Sequence, residues 1–221
     1  MSESENLLHR AATFSKAFLA RFRVRSESEP IDSRERLFEF VATRAAFVAQ
    51  KTLYGYLKTR IGTRYPTMFE DDIFVQSINI AKINVFTACL SDLTIYSVAL
   101  ALADTEDSTV KRDTARACFE DGFERNSDGM PEDFDPTEAL AAFESRMEDL
   151  DWTGTASSRD VFSTSPKALC DWAPIAPRHK KYDTEIIENS VILNWFEIRE
   201  RFRKRLRAAP IRDEILSSRQ A

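Results

Sequence analysis

Glycine and histidine are scarce in this chain, five and two among 221 residues. So few glycines leave little room for phosphate-cradling loops, and no GxSxG, GxGxxG or P-loop pattern is present. His9 and His179 stand near no ExxH or HExxH pattern, which argues against a His-ligated metal cluster or a di-iron bundle site. The three cysteines, Cys89, Cys118 and Cys170, are odd in number, far apart and without a CxxC pair. That argues against a disulfide framework or zinc site and for reduced, buried thiols in a cytoplasmic-type compartment. An excess of base is missing too. The net charge of −5 argues against a general nucleic-acid binder. No cofactor is implied, and a non-enzymatic role is expected.

What is present is 30% charged residues, sixteen Phe and long runs of helix formers parted by short polar breaks. This favours one all-α domain. The expected architecture is an irregular bundle of about six helices around a central apolar helix spanning 72–103. Within it, Ile83–Ala103 is the most hydrophobic stretch and carries a single acid, Asp92. Its length would suit a membrane span. Asn84, Ser91, Asp92 and Thr94, and amphipathic helices elsewhere, point instead to a buried core helix.

Three regions are expected: a basic amphipathic helix within 1–28, a helical domain over 32–209 and a frayed tail over 210–221. The first helix, about Glu3–Arg25, opens on a Ser2/Glu5 capping box. It carries Leu7, Ala11, Phe14, Phe18 and Phe22 as one stripe, with Arg10, Lys16, Arg21, Arg23 and Arg25 around it. The basic residues break any signal-peptide core, and Glu3 and Glu5 argue against a mitochondrial presequence. Asp32 and Glu35 suggest a capping box for the second helix, which reaches Ile61. Its wheel puts Leu37, Phe40, Val41, Phe47, Val48 and Tyr54 on one face, with Arg44, Lys51 and Lys58 along the middle.

The third helix follows an acidic start at Glu70–Asp72, and the fourth covers Ser108–Asn126. Asp135-Pro136 opens the fifth. Trp152–Thr164 reads as a mobile polar connection, Ser165–Asp171 as a short helix and Trp172–Pro177 as an extended strap. The last long helix runs from Asp183 to about Arg207, with Ile187, Val191, Trp195, Ile198, Phe202 and Leu206 on one stripe.

A cation in an apolar stripe needs a partner or a cleft. Asp92 is the natural counterpart of Arg44 and Lys51, and with Tyr96 these residues form the candidate ligand pocket, or else a structural ion pair that fixes helix register. A second candidate is the acidic loop around Asp128, whose spacing approaches an EF-hand. Glu124 and Asp135 are the wrong acids for its ends, and Pro131 sits where a strand normally pairs, so a solvated loop fits better. Third, acids dominate Asp104–Asp151, while Arg199, Arg201, Arg203, Lys204, Arg205 and Arg207 make the end of the last helix basic. That segregation suggests an interaction surface for another protein, a second copy or an anionic membrane, or an internal fit.

The leading expectation is therefore a cytoplasmic interaction or accessory protein. The alternatives are a small-molecule or lipid-binding bundle, potentially an enzyme, around Asp92, and a protein peripheral to a membrane surface.

Overall fold

The computed structural model describes residues 29–127, 130, 134–155, 157–158 and 160–219. The expected basic helix within 1–28 lies outside these residues, as do residues 128, 129 and 131–133 of the EF-hand-like loop. Among the described residues there are nine α-helices and no strand beyond one isolated bridge, so the chain is an all-α bundle.

The first helix, α1 (Arg34–Ile61), is capped by Ser33, whose Oγ accepts the Arg36 amide at 3.3 Å. Asp32, expected in that role, instead pairs with Arg36 one turn on. The helix ends at Gly62, which takes φ 64°, a left-handed value that favours glycine. Two 3-10 turns lead to α2 (Asp72–Ala101), capped by Asp71 through the Ile73 amide at 2.9 Å. This is the expected central helix, unbroken over 30 residues. It is long and apolar enough to cross a membrane, but 83% of its most apolar window is buried against the other helices.

Helix α3 (Ser108–Asn126) packs on both α1 and α2. Gly122 permits the approach, because a Cβ there would lie 2.6 Å from Leu90 Cδ1. Asp135 caps α4 (Pro136–Glu148), with proline in its first turn. Stacked Phe119 and Phe143 rings, centroids 4.1 Å apart, join α4 to α3.

The following segment departs from expectation. Where the sequence suggests a polar connection, a short helix α5 (Trp152–Thr155) and a 3-10 turn at Asp160–Phe162 bury Trp152, Thr155, Val161 and Phe162. Trp152, Val161 and Phe162 all reach the core. Helix α6 (Thr164–Trp172) follows, and then α7 (Pro177–Lys180) in place of the end of the strap. The long α8 (Thr184–Arg205) buries Ile187, Val191, Trp195, Ile198 and Phe202, the stripe that its spacing predicts.

The tail is not frayed through the described residues. Helix α9 (Ala208–Ser218) buries Ile211 and Ile215, and Glu214 accepts the Arg34 amide at 2.8 Å, adding a second cap to α1. Pro210 does not stop this helix, because it lies in the first turn, where its missing N–H has no intrahelical partner to lose. Ile31 pairs with the chain at Leu206 through bonds of 2.9 and 2.8 Å, so the start of the domain is fastened to the end of α8.

Candidate functional site

Asp92 lies at the centre of a buried polar network, but its partner comes from elsewhere in the chain than the sequence suggests. Arg146, on α4, donates Nη1 to Asp92 Oδ1 at 2.8 Å and to Ser91 Oγ at 2.7 Å. Its Nη2 reaches the Val161 carbonyl at 2.8 Å. On the other side, Asp92 Oδ2 accepts the Ser165 amide at 2.8 Å, and the Ser165 hydroxyl accepts Trp195 Nε1 at 2.9 Å. Ser163, the residue before α6, makes no side-chain cap of its own. Asp92 thus caps α6 from a distant helix, a favourable place for a carboxylate.

The carboxylate is wholly inaccessible, and both oxygens are engaged. Burial pushes its pKa above the ordinary aspartate value, while the Arg146 guanidinium and the Ser165 bonds hold it back. A closed pair of this kind ties α2, α4, α6 and α8 together and leaves no oxygen facing a substrate. Cys89, one turn before it, is also pushed up, first by burial and then by the Asp92 charge.

The other members of the expected pocket do not converge there. Lys51 is exposed and lies 5.5 Å from the Phe47 ring centroid, and Arg44 is buried with its guanidinium 5.9 Å from Phe40. The large rings of Phe47 and Tyr54, only half-buried, pull the apparent apolar face toward the lysines. The face that packs is centred on the small residues Ala45, Ala49 and Thr52, which let α2 approach closely and leave Lys51 and Lys58 at its rim. Tyr96 is fully buried among Phe162 and Phe202, with Arg199 5.2 Å above its ring.

The basic run is partly internal. Arg199 covers the Tyr96 and Phe162 rings, Arg203 pairs with Glu200, and Arg205 donates Nε to the Glu29 carbonyl at 2.8 Å. Arg201, Lys204 and Arg207 are exposed on the outside. Likewise, part of the acidic middle is matched within the domain. Arg212 pairs with Asp104, Arg219 with Asp107 and Asp113, and Arg125 with Glu35 and Asp121. Among the described residues no group of three His, Cys, Asp or Glu side chains could hold a metal ion.

A feature absent from the sequence reading stands out on α8. Its outer face exposes Ile186, Ile192, Leu193 and Phe196 to between 51 and 65%, and Tyr182 just before the helix is 78% exposed. At 100° per residue, Ile186, Leu193 and Phe196 fall within one arc opposite the buried stripe, and Tyr182 is exposed in the turn just before the helix. The spacing of seven and three is readable. In the sequence the stronger stripe through Trp195 masks it. Every ionisable side chain exposed between Tyr182 and Ile198 is an acid: Glu185, Glu188 and Glu197. The sequence matches no protein-family model and no curated protein, and no solved structure matches the chain.

Proposed function

We propose that this chain is an interaction or accessory protein and that the outer face of α8 is where it receives another protein. The observation that carries the reading is the row of large apolar side chains on one exposed helical face. Several large apolar side chains exposed on one helical face mark an association site on a water-facing domain. An amphipathic partner helix fits such a row, reading it at helical spacing. The acids beside it favour a partner whose apolar face is bordered by lysine and arginine, and they weigh against an anionic membrane. The closed geometry around Asp92 weighs against the pocket reading. Where the basic end of α8 contributes, it does so through exposed side chains such as Lys204.

The test is a photoreactive phenylalanine analogue placed at Phe196 in cells that make the protein. One discrete adduct with another protein is expected, lost on Leu193→Asp while the melting temperature stays near that of the parent. Adducts that persist in the Leu193→Asp chain, or none at all, would overturn the reading.

A further inference from the structure

An open cleft lies where α8 meets α9, at the far end of α8 from Tyr182. Its volume is about 610 Å³, and Asp32, Lys204, Arg205, Arg207 and the first turn of α9 line it. We infer that this cleft is an anion site that takes a compact, multiply charged phosphate group, carried by a soluble compound or a lipid headgroup. The site is separate from the apolar row on α8, and it holds whether or not that row receives a partner.

Excess charge is the first argument. Three cations line the cleft with one acid, and that acid, Asp32, already pairs with Arg36. Among the described residues, Lys204, Arg205 and Arg207 have no carboxylate partner. The ordinary role of cations at a helix C-terminus does not use them up. The end of α8 carries about half a negative charge, and the start of α9 beside it about half a positive one. These nearly cancel, so positive charge remains in the cleft even with Asp32 counted in full.

Donor geometry is the second argument. Arg205 Nε donates to the Glu29 carbonyl at 2.8 Å, and its guanidinium lies 5.6 Å from the Phe40 ring centroid. Arg207 donates Nη1 to the Leu206 carbonyl at 3.0 Å. Each guanidinium is fastened by one edge, which reduces the freedom lost when it grips a ligand. The terminal nitrogens of Arg205, Nε and Nη2 of Arg207 and Nζ of Lys204 have no hydrogen-bond partner among the described residues. Two planar forks and a point charge suit a phosphate, whose three acceptor oxygens can each take a charged donor. A long polyanion fits less well, because the chain as a whole carries a net charge of −5.

Isothermal titration of the full-length protein with sodium pyrophosphate, at constant physiological ionic strength, tests the site. Saturable binding is expected. Lys204→Gln with Arg207→Gln should weaken it about tenfold or more, while the melting temperature without ligand stays that of the parent. Lys51→Gln with Lys58→Gln removes the same charge from exposed positions on α1 and should leave the affinity unchanged. No saturable binding, or equal weakening by the two pairs, would overturn the inference. So would binding that the first pair leaves intact. Flotation with phosphatidylcholine vesicles, with and without a phosphoinositide bisphosphate, assigns the source of the phosphate. Retention that pyrophosphate competes away marks a lipid headgroup, whereas pyrophosphate binding without retention marks a soluble phosphate compound.

Discussion

At the scale of single residues, Asp92 and Arg146 govern the interior. Removing one member of a buried pair leaves the other charged and unpartnered, which costs about 3–5 kcal/mol. Asp92→Ala should therefore lower the melting temperature, with Asp92→Asn milder because an amide oxygen can still accept the Ser165 N–H. Arg146→Met should destabilise by about 3 kcal/mol at neutral pH, and its penalty should shrink on acidification. The sign follows from burial, which already raises the Asp92 pKa and does so further once Arg146 is gone. A raised carboxyl pKa means that the folded state keeps its proton longer than the unfolded chain. Stability is then fully present below the ordinary aspartate value and is lost as pH rises through the folded one. Urea melts of Arg146→Met and parent at pH 4.5 and 7.5 should converge at the lower pH. The thiols offer a second check. Cys89 and Cys118 are inaccessible and pushed upward by burial, whereas Cys170 is only half-buried. A thiol reagent applied to the native protein should label Cys170 first, as peptide mapping would reveal.

At the scale of elements, ends were easier to read than partners. Asp71, Asp107 and Asp135 each cap the helix that begins beside them, because a cap acts within three residues and leaves a local trace. The Asp92–Arg146 pair leaves none, since its members are 54 residues apart and Arg146 reads as one more exposed base on an amphipathic helix. The α9 helix is hard to read locally, because Pro210 in its first turn has the same sequence appearance as a proline that ends a helix. Its weight is measurable. Ile211→Ala should cost about 2–4 kcal/mol in denaturant melts, as expected for a buried isoleucine and not for a residue in a loose tail. For α8, Arg199→Ala should lower stability by about 1 kcal/mol, because its guanidinium lies over two rings. Lys204→Gln with Arg207→Gln should leave the melt unchanged, so this pair, and not Arg199, suits a test of surface charge in binding.

At the scale of the whole molecule, Ile31 is hydrogen-bonded beside Leu206, and α1 receives one of its caps from Glu214. The first helix of the described domain is therefore completed by the last. During synthesis α1 leaves the ribosome long before α9 exists, with Leu37, Val41 and Val48 still lacking much of their cover. Native closure has to wait until Ile215 is free of the tunnel. A chain cut short within α9 should lose this closure and go to chaperones or proteases instead of accumulating as a shortened fold.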